Sequence, residues 1–406
     1  MSFFVPDQER VLYKLLRNDA PYAEVLEFLR GPLDGFVAER VAPRAAANDR
    51  DEVFDVENFH ALGEIGFMSL AYPEAYGGLG VNLAYYNAGL EAVAKADAGF
   101  TLGVAIHGTA TDGIYRFASD ELKRRYVPDL AGGRRLGAFC LSEAGCGSDA
   151  KALSCTFTFD ARAGEYVLNG NKYWITNGLS AEVFFVLAKG PDGEVSAFVV
   201  EKGGRGGFEQ AKIKDKMGVR GSNTAELVFQ DYRVPKGNLV GEPGRGFGYA
   251  MQMLNGGRIT IASWSTGIAQ GAYEKLLKYA HERKLFGKRL VDLDNTRREL
   301  SEMITGIHAG REMAYGAAFF RSEGKDVSQM AAEAKVFASE HAVHCGERAI
   351  ELAGGYGYVE DSRIERHLRD ALLGRIGEGA NEVLKVVVIP RGILKDFEDR
   401  PLTGTW

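Results

Sequence analysis

The stretch EYVLNGNKYWITNG, Glu165 to Gly178, decides the fold of this 406-residue chain. It is rich in β-branched and aromatic residues, and Asn169-Gly170 between its two apolar runs predicts a β-hairpin. Similar short runs stand on either side: RLGAFCLSE, CTFTFD, AEVFFVLAKG, VSAFVVEKG and AELVFQDYRVP, punctuated by Gly, Asn and Asp. Together they predict a central antiparallel, barrel-like β domain over residues 136–245. Residues 1–135 carry apolar positions at three- and four-residue spacing and predict a helical domain. The same period returns after Phe247, where Ile261, Trp264, Ile268, Ala272, Leu276 and Tyr279 mark one face of a long helix. Residues 246–406 are therefore expected to form a helical bundle. Helices, then strands, then helices exclude an alternating βαβ chain. GEPGRGFG has clustered glycines but lacks the strand and βαβ context of a dinucleotide fingerprint.

Composition narrows the function. A net charge of −6 gives no footprint for nucleic acid. The longest apolar runs fall far below the roughly 18 residues that span a bilayer, so no membrane insertion is expected. MSFFVPDQER lacks a basic region followed by an apolar core, and the four cysteines are scattered, which points to a reducing cytoplasm. His341, His344 and Cys345 share a helical face but have no fourth ligand at a usual spacing; they are expected to pack, and no metal is expected.

Three motifs bear on chemistry. RIGEGANEVL, Arg375 to Leu384, sets a lone carboxylate, Glu378, between Gly377 and Gly379, leaving the backbone open to something bulky. AFCLSEAGCGSDA runs from a strand into a Gly/Ser loop that suits a phosphate or another hydrogen-bonding cofactor. KYWITNG sets Trp174 and Thr176 two apart, on one face of a strand, as a flat heteroaromatic ring would want.

With these blocks, and with KMGVRGSNTAELVFQDYRVPKGNLVGEPGRGF, GGRITIASWSTGIAQGAYEKLLKYAHERKLFGKRL and AIELAGGYGYVEDSRIERHLRDA, the chain resembles the acyl-CoA dehydrogenases over nearly its whole length. The resemblance implies FAD, an acyl-CoA substrate drawn from fatty acid metabolism, and electron-transferring flavoprotein as the oxidant. Glu378 is implied as the base that takes the thioester α-proton while the β-hydride passes to flavin N5, giving the trans-2-enoyl-CoA. FAD contacts are implied at Phe139, Leu141, Ser142, Gly147, Ser148, Trp174, Ile175 and Thr176, with Ala380 and Glu382 after the base. Arg283, Phe286, Glu351, Gly354 and Gly355 are implied to reach the FAD of a neighbouring subunit, which makes a homo-oligomer, a tetramer, part of the expectation. Ser148, Leu254, Asn255, Arg258 and Gly379 are implied on the substrate side.

The chain also departs from the family pattern. Gly377 stands where an aromatic is common, Ala380 where a threonine meets FAD, Glu351 for a common glutamine, and Ala144 for a proline. Gly257 occupies the position where some members carry the base instead. ADAGFTLGVAIHG lacks the arginine that holds a second substrate carboxylate. Two other readings remain open: an oxidase or other flavin/O2 enzyme on the same fold, and a nucleic-acid-binding relative that the negative charge disfavours.

Overall fold

The computed structural model describes residues 2–399; residue 1 and residues 400–406, at the ends of the ranges drawn above, lie outside the described residues. The chain up to Ala131 is helical, with four principal helices: α1 Pro6–Leu16, α2 Leu83–Ala96, α3 Ala98–Phe117 and α4 Asp120–Ala131. Their starts follow from local chemistry. Asn82 accepts from the Ala84 N–H at 2.9 Å, Asp97 from Phe100 at 3.0 Å and Ser119 from Leu122 at 3.3 Å, each capping a helix N-terminus. Helix α2 is buried all round from Ala84 to Ala96, so its polar groups must find partners inside the protein. Glu91 does so: it accepts from Arg311 Nη2 at 2.6 Å and from the Tyr315 hydroxyl at 2.6 Å. Arg311, fully buried, also reaches Asp7 of α1, which fastens the N-terminal helices to the C-terminal ones.

The middle of the chain forms one eight-stranded sheet: β1 Gly137–Cys140, β2 Thr156–Asp160, β3 Glu165–Ile175, β4 Val183–Lys189, β5 Val195–Glu201, β6 Gly207–Lys212, β7 Ala225–Pro235 and β8 Leu239–Val240. The ladder runs β6-β7-β3-β2-β4-β5-β8, with β1 added beside β4. Two features depart from the sequence reading. Asn169-Gly170 is not a hairpin, because β3 runs straight through it. The β2–β3 turn lies earlier, at residues 161–164, where the Asp160 carboxylate accepts from the N–H groups of Arg162 and Ala163 and Gly164 takes φ +69°. Gly170 instead marks a bulge: φ is +135°, the register with β7 shifts, and a Cβ there would sit 2.6 Å from Cys155 Cα. The glycine admits a neighbouring backbone rather than a turn. The sheet is also not purely antiparallel. Strand β1 pairs parallel to β4, and β2 touches β4 in parallel, because the β2–β3 hairpin returns the chain to the end from which β1 started.

From Gly246 the chain is helical again: α5 Gly246–Glu282, α6 Asp294–Ser322, α7 Ser328–Ala353, α8 Glu365–Gly374 and α9 Ile389–Asp399. GEPGRGFG follows the short strand β8 and opens α5, but among the described residues no parallel strand returns after it. Ile261, Trp264, Ile268, Ala272 and Leu276 are buried as their period predicts, with the Trp264 indole donating to Ala98 O at 2.8 Å. His107 joins α3 to the sheet, bonding Leu130 O at 2.9 Å through Nε2 and accepting from Gly137 N at 2.9 Å through Nδ1. His341 and Cys345 pack against each other and against Met303 O. His344 lies near Glu299 and Glu302, but Glu299 is already engaged by Arg298 at 3.1 Å. Among the described residues no helix is long and apolar enough to cross a membrane.

The Glu91–Arg311 pair sets the first prediction. Glu91→Ala leaves a buried guanidinium without its main partner and should cost about 3–5 kcal/mol of unfolding free energy. Tyr315→Phe, which removes a single hydrogen bond, should cost about 1 kcal/mol. Denaturant unfolding of the two variants beside the parent measures both.

Candidate active site

Past α8 the chain turns sharply. Ile376 and Gly377 donate to Leu373 O at 3.0 and 2.9 Å, and Asn381 N closes the loop onto Arg375 O at 2.8 Å. At the apex Glu378 and Gly379 are both left-handed, with φ +54° and +92°. Glycine adopts this freely; for glutamate it costs on the order of 1 kcal/mol or more and persists only where the surroundings enforce it. Lys335 of α7 is the enforcing group. It is fully buried and donates to Gly379 O at 2.8 Å and to Asn381 Oδ1 at 2.7 Å. Asn381 is held in turn by Ser339 Oγ at 3.0 Å and Glu340 at 2.9 Å.

The turn drives the Glu378 side chain onto α5. Its Oε2 is sealed from solvent and has no hydrogen-bond partner among the described residues. A Cβ on Gly257 would lie 2.3 Å from that oxygen, so the carboxylate fills the space a side chain at 257 would need. Burial pushes the Glu378 carboxyl up to about 7, while the Arg258 and Lys335 cations pull it down. Burial likewise brings the Lys335 ammonium down to about 7, opposed by the charge of Glu378. Arg258, also buried, donates to Asn255 Oδ1 at 2.8 Å and leaves its Nε unbonded. Asn255 is steadied by Ser328 at 2.9 Å. The backbone N–H of Glu378 has no acceptor among the described residues. A cavity of about 690 Å³ opens from Gly257 between α2, α3, α5 and α6.

The remaining expected residues fall into two groups. Phe139 is buried in β1 and Leu141 just past its end; Ser142, Gly147 and Ser148 follow in the loop, and Ile175 ends β3 with Thr176 directly after it. Trp174 sits in a bulge with φ +61° and is 59% exposed, so strict two-residue alternation with Thr176 is interrupted there. Behind this group lies an ion pair absent from the sequence reading: Lys172 Nζ and Glu143 Oε1 at 2.8 Å, both buried, with Glu143 also accepting from Ser154 N at 2.6 Å. In the second group, Arg283, Glu351, Gly354 and Gly355 line a separate cavity of about 650 Å³ with Tyr279 and Tyr356. Phe286 stands beyond it, 92% exposed, and Glu351 is paired with Arg348. Neither cavity is lined by the first group. Leu254 is buried on α5; Ala380 caps the short helical turn after the loop, and Glu382 is exposed and paired with Lys385 at 3.1 Å. A Cβ on Gly377 would meet only Leu373, no nearer than 3.5 Å. Tyr356 packs on Tyr279 and Phe139 on Phe185, so both rings are engaged elsewhere.

Two buried lysines, then, were missed. Lys335 could have been found: it falls in the helical stripe of Ala331, Ala334, Ala338 and Ala342, where an unpaired cation would be costly. Lys172 lies within the β3 run, where no comparable pattern marks it.

Three family models match the chain: acyl-CoA dehydrogenase N-terminal domain over residues 24–134, middle domain over 138–232 and C-terminal domain over 244–393. Acryloyl-CoA reductase (NADH) of Anaerotignum propionicum is 38% identical over 392 residues, covering 94% of this chain and 98% of the relative. A chain solved in work on the electron transferring flavoprotein of Acidaminococcus fermentans and its flavin-based electron bifurcation is 36% identical, with a TM-score of 0.88, covering 97% of this chain and 99% of that one. The acyl-CoA dehydrogenase of Bacillus anthracis complexed with FAD is 31% identical, with a TM-score of 0.87 over 94% of this chain and 68% of its own.

Gly257→Ala tests the packing at this site. The added methyl cannot share the carboxylate's space, so a crystal structure of the variant should show the Glu378 carboxylate displaced by roughly 1 Å or more, to ordinary contact distance. A carboxylate left unmoved beside the new methyl would refute the arrangement.

Proposed function

The chain belongs to the acyl-CoA dehydrogenase family, and from that we propose that it oxidises the Cα–Cβ bond of an acyl-CoA thioester with Glu378 as the base. The observation that carries the reading is the Glu378 carboxylate itself: sealed, free of hydrogen bonds on Oε2, and held by a strained turn. An α-proton beside a thioester is weakly acidic. Its acceptor must be aimed and dry, and have a pKa near working pH. Burial moves this carboxyl to about 7, while Arg258 and Lys335 keep the anion accessible. As the proton leaves, charge gathers on the thioester oxygen, and the free backbone N–H of Glu378 is a donor available to it.

Bound FAD supplies the acceptor for the hydride that leaves Cβ. The residues fit such a group in three respects. Trp174 presents a large exposed ring at the end of β3. The loop at Gly145 and Gly147 has open space beside its backbone, as has the turn at Gly354 and Gly355. Phe286, Tyr356 and Tyr358, at 92, 63 and 80% exposure, form apolar surface of the kind another molecule covers. In our reading Phe139, Leu141, Ser142, Gly147, Ser148, Trp174, Ile175, Thr176, Ala380 and Glu382 hold the cofactor of their own subunit. Arg283, Phe286, Glu351, Gly354 and Gly355 reach that of a second copy, in a homo-oligomer taken as a tetramer. Leu254, Asn255, Arg258, Ser148 and Gly379 meet the CoA thioester. The electrons pass to an electron-transferring flavoprotein, as the relative studied with such a protein suggests.

Glu378→Gln should keep yellow FAD and acyl-CoA binding while lowering kcat by about 10²–10⁴. In the parent, the base is protonated and idle below its pKa, so kcat should rise with pH through about 7. Near-normal turnover by the variant would place the base elsewhere. Arg283→Ala should lower both FAD retention and assembly size in sedimentation; a fully flavinated monomer of the parent would contradict the shared site.

A further inference from the structure

The cavity of about 690 Å³ that starts at Gly257 bears on the substrate. Its α5 wall is Met253, Gly256, Gly257, Ile259 and Thr260, while Asn255 and Arg258, assigned above to CoA, are turned to the adjoining face, where they bond each other and Ser328. The space therefore leaves the base on the side opposite the CoA arm. Volumes of roughly 300–1,000 Å³ hold whole drug-sized molecules, so a short straight acyl chain would leave most of this one empty. Glycines make the room. A Cβ at Gly256 would lie 2.9 Å from Arg321 Nη2, and one at Gly108 would lie 3.0 Å from the Tyr86 hydroxyl.

The walls are mainly apolar, and a few polar groups stand out among them. Tyr86 is 8% exposed and its ring is clamped on Phe67, with centroids 5.0 Å apart and planes at 15°. Its hydroxyl lies at the cavity and has no hydrogen-bond partner among the described residues. Tyr72, half-buried, also lines the cavity, its ring meeting Tyr115 edge-on at 5.4 Å. Burial raises both phenols, so they stay protonated and can donate. Arg321 also faces the space, but it donates to Asp112 Oδ2 at 2.7 Å and to Gln252 O at 3.3 Å, so its charge is matched. Arg116, 3.8 Å from the same carboxylate, is about a third exposed and outside the lining.

We propose that the preferred acyl group is branched or cyclic and carries an uncharged oxygen, a hydroxyl or ketone, beyond Cβ, which Tyr86 and Tyr72 hydrogen-bond. This rests on the dehydrogenase reading above. Each hydroxyl faces the cavity with its donor free, and a ligand oxygen that takes it up as water is displaced discriminates against analogues lacking it. A distal carboxylate is disfavoured because Asp112 already occupies the arginine.

The test uses the flavin-loaded parent enzyme with four CoA thioesters: hexanoyl, cyclohexanecarbonyl, a hydroxycyclohexanecarbonyl, and a straight chain ending in a carboxylate. The hydroxylated ring should exceed the plain ring by about three- to tenfold in kcat/KM, and Tyr86→Phe should bring that ratio close to one. Preference for the hexanoyl or the carboxylate thioester, or a ratio that Tyr86→Phe leaves unchanged, would overturn this inference alone. Failure of all four to reduce the flavin would overturn the dehydrogenase reading with it.

Discussion

The site turns on the cost of enclosing one carboxylate. A lone buried anion is heavily penalised, and a protein that tolerates one must supply countercharge or let it protonate. Here both happen in part. Helix α5 brings Arg258 and helix α7 brings Lys335, and each lowers the carboxyl's affinity for a proton. Neither neutralises it through a hydrogen bond to Oε2, which is left bare. Lys335 spends its bonds on the backbone of the next residue and on Asn381. Its charge thus stabilises the anion from a distance while its bonds fix the direction in which the anion points.

Those two cations come from helices far apart in sequence, and the bundle must be correctly packed for both to converge. The N-terminal helices belong to the same requirement. Helix α2, buried on every side, is tied through Glu91 to Arg311 and provides Tyr86 to the cavity wall. Helix α3 provides Gly108 and Asp112 and is docked on the sheet through His107. The sheet in turn carries Trp174 and the glycine loop. The site is thus assembled from all three regions of the chain, which explains why so much of the buried polar chemistry sits at the joints between them.

Much of this was legible in sequence where the signal is local. The helical period of α5 and the strand runs were read correctly, because periodicity reports burial directly. Glu378 stood out because two glycines isolate a residue type that turns do not favour. Asn169-Gly170 misled because the same dipeptide serves a tight turn or a bulge, and the choice depends on Cys155, just ahead of the neighbouring strand β2. Lys335 left a trace, a cation inside an alanine stripe. The meeting of Asp112 with Arg321 left none: the partners lie 209 positions apart, and nothing in either helix reports the other.

The shared space of Gly257 and Glu378 has a consequence for how such chains can change. A base on α5 at position 257 and a base on the loop at position 378 would compete for one volume, and two carboxylates there would also repel. A form holding both would crowd two carboxylates into one volume and set them repelling, so exchange between the two arrangements is easier through a form holding neither. Each single step is harmful while the pair together need not be, a strong non-additivity between contacting positions. The two arrangements are therefore separated by a valley in fitness, and lineages carrying either one should tend to keep it even as the rest of the acyl cavity diverges freely.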